Sequence, residues 1–292
     1  MNALLFYLAI PFIYLISALP FWLFYGFSDL FFVMIFYVAG YRKKVVLENL
    51  RRSFPEKSEE ELKKIRIKFY RFFCDFVLET LKTLTISRRS MLKRCRLNKD
   101  AVALFDKYHR EKKSFIIVMG HYGNWEWAGN TFSLTGLHQL YVIFHPLSNK
   151  HFNNLIIKMR TRFGTKLIEM RNTIRDMLSK RNELSATAFI ADQTPPPESA
   201  YWTKFLNQDT PVFWGTEKIA RKINYPIVFV NVKRVKRGYY EISAETLVEN
   251  PAGTAEGQIS EMHTRRLEQE IIKQPELWLW SHRRWKHKKP GT

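Results

Sequence analysis

The sequence predicts an α/β protein, with an N-terminal membrane anchor followed by one mixed, largely parallel sheet that has helices on both faces. Three observations support this. Residues 1–40 contain a single charged side chain, Asp29. Beyond them, short apolar runs typical of buried strands alternate with segments of helical spacing, a pattern that favours a parallel sheet. Hydrophobic residues make up 46% and charged residues 25% of the chain, which excludes a disordered or collagen-like protein.

The first 40 residues predict a membrane anchor with one span and one interfacial helix. The apolar run over residues 1–27 is long enough to cross a bilayer, which takes about 20 apolar residues. A cleaved signal peptide is the alternative, but it would have a basic start, and no Lys or Arg precedes Arg42. Gly26 to Asp29 is expected to end the span and cap a shorter helix lying in the interface. Under the positive-inside rule, the cations from Arg42 onward place residues 41–292, the second domain, in the cytoplasm.

The elements of this second domain are predicted from local patterns. Ser58 and Glu61 have the S-x-x-E spacing of a capping box, which opens a long amphipathic helix to about residue 85. A turn at Arg237 and Gly238 predicts that the strand after it is antiparallel. Strands are expected at 114–119, 140–144, 166–170, 186–190, 226–232 and 239–244, and helices at 124–134, 152–163, 173–179, 216–222 and 258–273.

The net charge narrows the possible partners, and the cysteine content narrows the possible scaffolds and metal sites. The chain has 47 basic and 27 acidic residues, a net charge of +20, and therefore attracts polyanions such as nucleic acid, anionic lipid or an acidic carrier protein. Its cations are spread along the chain, whereas a nucleic-acid binder would show a continuous basic stripe with exposed aromatics. No nucleic-acid partner is expected. Two cysteines, Cys74 and Cys95, exclude a disulfide scaffold and a cysteine-rich zinc site.

The candidate chemistry lies at His121 and Glu126, a His-x4-Glu pair within the segment GHYGNWEWAG. A second pair of this spacing, His263 and Glu268, lies on one continuous helix, where five residues rotate by about 140° and point the two side chains apart. His121 instead follows an apolar strand and precedes a helix, at the kind of strand end where α/β sheets bind ligands.

A bend at Gly120 and Gly123 could fold Glu126 back onto the imidazole. A neutral His can take a proton from a hydroxyl, and a carboxylate on its other ring nitrogen fixes the tautomer. This chemistry needs neither a metal nor a cofactor. A structural His in a tight turn is the alternative.

The segment around His121 resembles the H-x4-D/E block of the lysophospholipid acyltransferase superfamily, and more closely the bacterial lipid A secondary acyltransferases of the lauroyl and myristoyl type. Further blocks that resemble this family follow in order between residues 42 and 286: Val45–Pro55, Arg160–Arg171, Ala191–Gln193, Phe205–Lys222 and Pro275–Arg284. The resemblance implies a glycerol-3-phosphate acyltransferase-like fold.

The resemblance also implies roles for single residues. His121 would be the general base and Glu126 its partner. Arg160, Arg162 and Arg171 are each candidates for the family's essential arginine, which would bind a phosphate or carboxylate. For Arg160 and Arg162, the alternative is that they are solvated charges on a helix. Asp192, at the end of a strand, is expected to orient the site.

The activity implied is O-acyl transfer at the cytoplasmic side of the inner membrane. The donor would be acyl carrier protein or coenzyme A, and the acceptor a phosphorylated glycolipid, a lipid A precursor. Two alternatives stay open: the same chemistry on another lipid, such as an amino-acid lipid or a lysophospholipid, and a membrane-tethered basic binding protein without chemistry. The E-G-T-R phosphate clamp of glycerophospholipid acyltransferases is missing after Asp192, which argues against lysophosphatidate. Pro195–Pro197 and Phe144–Pro146 depart from the lipid A pattern, so they leave the acceptor open.

Overall fold

The computed structural model describes residues 3–290, arranged around a seven-stranded mixed sheet with helices around it. The strands are β1 Cys95–Leu97, β2 Phe115–Met119, β3 Gln139–Phe144, β4 Lys166–Glu169, β5 Ser185–Ile190, β6 Ala200–Phe205, β7 Gln208–Phe213, β8 Ile227–Lys236 and β9 Tyr239–Val248. The order in the main sheet is β1-β9-β8-β2-β5-β3-β4, and β6 and β7 form a separate antiparallel hairpin.

The helices are α1 Ala3–Ala18, α2 Phe21–Val33, α3 Lys43–Ser53, α4 Glu59–Lys82, α5 Arg88–Arg94, α6 Lys99–Arg110, α7 Trp125–Ser133, α8 Lys150–Thr161, α9 Thr173–Ser179, α10 Gly215–Ile223 and α11 Gln258–Lys273. A π-helical segment, Met34–Val38, continues α2. Every strand and helix predicted beyond residue 57 is present, with ends shifted by four residues or fewer. The capping box of α4 is also confirmed, because Ser58 and Glu61 exchange side chain and backbone hydrogen bonds.

The centre of the sheet is parallel and buried. β2 pairs in parallel with both β5 and β8, and its residues Phe115 to Val118 are at most 4% exposed. A strand covered on both faces reads as a continuous apolar run, which is why FIIVM is recognisable in the sequence. The predicted antiparallel strand is confirmed, since β9 pairs with β8 after a turn at Gly238, whose φ is +72°.

The N-terminal helices differ from the prediction. Gly26 to Asp29 lies inside α2, and the break between helices falls at Pro20, which lacks a backbone N–H and precedes the first residue of α2. Ser28 and Asp29 do not cap a helix, because they bind Asp75 and Arg237 of the following domain. Within residues 3–290, the helix that is long and apolar enough to cross a membrane is Phe21–Val38, which overlaps both the end of the expected span and the expected interfacial helix.

Candidate active site

His121 and Asp192 meet because their strands are neighbours. Met119 at the end of β2 pairs with Ile190 at the end of β5, so the residues two positions beyond each strand come together at the carboxyl edge of the sheet. The imidazole Nδ1 of His121 lies 2.5 Å from Asp192 Oδ1, and the His121 backbone N–H donates to Asp192 Oδ2 at 2.8 Å. Asp192 therefore holds both the backbone and the ring of His121.

Glycines make this close approach possible. A Cβ on Gly120 would lie 2.7 Å from the side chain of Leu267 and 3.1 Å from Asp192 Oδ2. Gly123 has φ +62°, and a Cβ there would lie 2.1 Å from the carbonyl oxygen of Val232. The chain consequently leaves β2, turns against β8 and enters α7 within a few residues.

The C-terminal segment after α11 closes the site. The indole N–H of Trp278 donates to Asp192 Oδ2 at 2.7 Å, and the backbone N–H of Gly123 donates to Leu277 O at 3.1 Å. The side chain of Asn49 in α3 donates to the carbonyls of Trp280 and His282. These contacts join two of the motif blocks, Val45–Pro55 and Pro275–Arg284, next to the carboxylate that holds the imidazole of His121.

Burial and the neighbouring groups have opposite effects on the pKa of Asp192. Burial disfavours its ionised form, but His121 and the hydrogen bonds from His121 and Trp278 outweigh burial and lower the pKa of Asp192 to about 2. The carboxylate is thus ionised at neutral pH. With Nδ1 donating to Asp192, Nε2 of the neutral ring is left as the acceptor; it lies 3.2 Å from the side-chain amide nitrogen of Gln193.

Glu126 does not contact the imidazole as the sequence analysis expected. It lies in the first turn of α7 and accepts hydrogen bonds from Arg160 of α8, from Nε at 3.0 Å and from Nη2 at 2.5 Å. The expected contact is absent because Glu126 follows the left-handed turn at Gly123 and points toward α8. Nδ1 of His121 is instead bound by Asp192, which follows the neighbouring strand β5. The two carboxylates therefore have separate partners.

The three candidate arginines lie in different surroundings. The side chain of Arg160 is 24% exposed and pairs with Glu126, whose side chain is 10% exposed. Arg162 donates to the carbonyl of Thr83 and lies over the ring of Phe163. The side chain of Arg171 is 80% exposed and pairs with Glu169. Of the three, Arg160 is the one that contacts the His-x4-Glu segment.

A second buried carboxyl group, that of Glu79, stabilises the turn between β2 and α7. Glu79 of α4 is fully buried and accepts from the side-chain amide of Asn124 at 2.7 Å and from the hydroxyl of Tyr240 at 2.6 Å. Asn124 is the N-cap of α7, since its side chain accepts from the backbone N–H of Trp127 at 2.9 Å. Glu79 thereby fixes the start of the helix that carries Glu126.

The comparison with known protein families shows which family the chain belongs to. The family described as bacterial lipid A biosynthesis acyltransferase matches residues 1–287. The chain belongs to this family. Its members are membrane-associated enzymes that transfer acyl groups in lipid A biosynthesis, so the acceptor is a glycolipid. No curated protein matches the chain significantly.

In this lipid A acyltransferase, an apolar cavity lies between the sheet and α7. Glu126 and Arg160 are its charged lining residues. The rest of the lining is mostly aliphatic and aromatic: Phe105, Ile117, Met119, Trp125, Ala128, Phe132, Leu140, Val142, Ala188, Ile190, Val230 and Ile242. The cavity therefore begins beside the His-x4-Glu segment and leads into the core.

Some site residues of the lipid A acyltransferase were not singled out from the sequence. They are Trp278, Glu79 and Asn124. Asn124 precedes a helix as N-caps do, which is a usable local signal. Nothing local marks Glu79, because a Glu within an amphipathic helix is ordinary. Within residues 3–290, no cluster of three or more His, Cys, Asp or Glu side chains is arranged to hold a metal ion.

Proposed function

We propose that this enzyme moves a fatty acyl chain from the thioester of acyl carrier protein to a hydroxyl of a phosphorylated lipid A precursor, with His121 as the general base. The observation that carries the proposal is the pair formed by the partly exposed His121 and the buried Asp192 at the carboxyl edge of the sheet. It leaves Nε2 as a proton acceptor, while the ring is oriented by an ionised carboxylate.

The steps follow from this arrangement. Nε2 of His121 takes the proton of the acceptor hydroxyl as its oxygen attacks the thioester carbonyl carbon. Asp192 stabilises the imidazolium that forms. The tetrahedral intermediate then collapses, the carbon–sulfur bond breaks, and the leaving thiolate takes the proton back from Nε2. The products are an ester and a free thiol, and the base is regenerated.

Arg160 is proposed as the essential arginine. Its Nε and Nη2 donate to Glu126, whereas Nη1 does not. A guanidinium fixed in this way can present its remaining donors to a phosphate or to the thioester carbonyl. Glu126 then acts as a positioning residue for Arg160.

The apolar cavity beside this pair is proposed to hold the acyl chain of the donor. Burial of a chain there gains about 0.8 kcal/mol per methylene. The net charge of +20 favours both an acidic carrier protein and a phosphorylated acceptor. Catalysis on the cytoplasmic side of the inner membrane is proposed because the proposed donor, acyl carrier protein, is a soluble protein of the cytoplasm.

The test uses the purified full-length enzyme in vesicles, supplied with acyl carrier protein or coenzyme A thioesters. The acceptors are a phosphorylated lipid A precursor, the same precursor without its phosphates, and a lysophospholipid. We expect the carrier-protein donor and the phosphorylated precursor to give the highest kcat/KM, with an acyloxyacyl product identified by mass spectrometry. Preference for the lysophospholipid would overturn the proposed acceptor, and preference for coenzyme A the proposed donor.

A further inference from the structure

We propose that α1 and α2 lie flat in a single leaflet of an anionic membrane and do not cross the bilayer. Helix length alone would favour a span at Phe21–Val38. The contacts of both helices with the cytosolic domain point to a monotopic arrangement instead. The proposal concerns only the geometry of the membrane contact and does not depend on the acyl-transfer chemistry.

Polar contacts attach α2 to the domain at its centre. The hydroxyl of Tyr25 donates to Glu79 Oε1 at 2.7 Å, and that of Ser28 donates to Asp75 Oδ1 at 2.8 Å. Asp29, the one charged residue of the N-terminal segment, pairs with Arg237 at 2.7 Å. One side of the helix thus makes hydrogen bonds and an ion pair with polar side chains of the globular domain.

The end of the apolar segment is also packed against the domain. Phe36 is 5% exposed, and its ring lies 5.1 Å from that of Tyr70 in α4. Lys43 Nζ lies 4.2 Å from the centre of the Phe36 ring. One face of the stretch from Tyr25 to Phe36 therefore packs along the domain over its whole length.

Contacts at both ends hold α1 against the domain in the same way. Near its end, Ser17 donates to the carbonyl of Leu81 at 2.9 Å, and Lys82 Nζ donates to the carbonyls of Ser17 and Leu19, both at 2.6 Å. Near its start, Phe6 packs against Phe152 of α8 with ring centres 5.2 Å apart. Both helices are consequently part of one body with the domain.

A span would be costly in this arrangement. If α2 crossed the bilayer while docked, Asp75, Glu79 and Arg237 would lie at hydrocarbon depth, where a charged side chain costs at least about 2.5 kcal/mol. The adjoining non-helical backbone would also lose its hydration. If α2 detached, the rings of Phe24 and Phe36, now at most 5% exposed, would leave the protein core.

The opposite face of the two helices has the composition of a membrane contact. Phe12 and Leu15 of α1 are more than 60% exposed, as are Trp22, Tyr37 and Val38 of the second apolar segment. Contiguous exposed apolar surface of this kind marks a membrane or protein contact. The adjoining Arg42 and Lys43 favour an anionic lipid surface over a protein partner, since each cation near such a surface adds about 1 kcal/mol.

The experiment measures the depth of single positions in the full-length protein bound to anionic vesicles. Trp22→Cys, Leu30→Cys and Val38→Cys, made one at a time, are labelled with an environment-sensitive fluorophore. Lipids carrying quenchers at known depths then report the position of each label. The native Cys74 and Cys95 are buried, so the unmodified chain should take up little label. The matched control is Ser28→Cys, on the opposite face of the same helix, where the side chain is buried against Asp75.

We expect the three labels to lie at the same depth within about 5 Å, in the outer part of one leaflet, and Ser28→Cys to resist labelling in the folded protein. A span predicts a gradient, because 16 residues of helix separate Trp22 and Val38 by about 24 Å. A depth gradient of that size, ready labelling of Ser28→Cys, or failure to bind the vesicles would each overturn the monotopic arrangement. Acyl transfer need not be measured, so the outcome is separate from that of the proposed function.

Discussion

Asp192 is a buried carboxylate that stays ionised. Its neighbours, one imidazole and two N–H donors, outweigh the effect of burial on its pKa. Glu126, five residues beyond His121, is committed to a guanidinium instead. At the scale of single residues, the two carboxylates therefore have different partners: Asp192 holds the imidazole of His121, and Glu126 holds the guanidinium of Arg160.

Asp192→Asn should lower kcat by about 10³-fold or more, because an amide in place of the carboxylate favours the wrong tautomer and no longer stabilises the imidazolium. Rates of acyl transfer with saturating donor and acceptor measure this effect. The control is Asp209→Asn, an exposed residue paired with Lys204, which should keep normal activity. A near-normal kcat in Asp192→Asn would contradict the assignment of Asp192 as the imidazole partner.

Arg160→Gln should reduce kcat/KM by at least about tenfold and also lower the melting temperature. It leaves Glu126 as a mostly buried carboxylate without its charge partner, and breaking such a pair costs about 3–5 kcal/mol. Arg171→Gln is the matched control, since that side chain is 80% exposed. Exposed ion pairs contribute about 1 kcal/mol or less. Equal effects of the two substitutions would contradict the choice of Arg160.

At the scale of elements, the turn between β2 and α7 determines the geometry of the site. Gly123→Ala places a methyl group 2.1 Å from the carbonyl of Val232 at a positive φ. We expect activity to be lost and the free energy of unfolding to fall by about 1–3 kcal/mol. Denaturant unfolding and transfer rates measure the two effects. Gly215→Ala is the control, since a Cβ there meets nothing within 4 Å. Normal activity in Gly123→Ala would show that the turn tolerates other backbone angles.

The elements differ in how well the sequence predicts them. β2 and β5 are buried on both faces and appear as apolar runs, so they were found within one residue. The β6–β7 hairpin was missed because its turn lacks the usual signal: Leu206 and Asn207 both have positive φ, at +47° and +65°, where Asn-Gly is typical. The break before α2 was misplaced because Gly26 and Ser28 resemble a helix boundary, whereas Ser28 and Asp29 bind distant partners, Asp75 of α4 and Arg237 of the turn after β8.

At the scale of the whole molecule, the stability should depend on pH through His263, which is buried in α11. Burial lowers the pKa of its imidazole to about 4 from an unfolded value of about 6.5. Between these values the unfolded chain binds a proton that the folded chain does not. The free energy of unfolding therefore falls as the pH falls from 6.5 to 4, by up to about 3 kcal/mol.

Denaturant unfolding of the detergent-solubilised protein at pH 7 and pH 4.5 measures this dependence. His263→Gln should lose part of it, because glutamine does not titrate, while replacing the exposed His145 by Gln should leave it unchanged. For each variant, the free energy of unfolding at pH 4.5 is subtracted from that at pH 7, so a loss of stability that is the same at both pH values cancels. An unaltered pH dependence in His263→Gln would contradict the assignment.

The whole site was only partly predictable from the sequence. His121 could be found because it ends a recognisable strand between two glycines. The position of Asp192 at a strand end was also visible, but which carboxylate reaches the imidazole depends on which strands are neighbours. That order, with β5 beside β2, is a tertiary property: β3, β4 and three α-helices lie between them in the chain. The same holds for Trp278, which reaches Asp192 from 86 residues away.

The most direct test of the account is the rate of acyl transfer by His121→Ala, measured with carrier-protein thioester and phosphorylated lipid A precursor in vesicles. Donor and acceptor binding and the melting temperature are followed in parallel. We predict that kcat falls by at least about 10³-fold, while both dissociation constants and the melting temperature stay near those of the unmodified enzyme, because the side chain acts on the proton and is not needed for folding. A rate within tenfold of the unmodified enzyme would contradict the role of His121 as the general base.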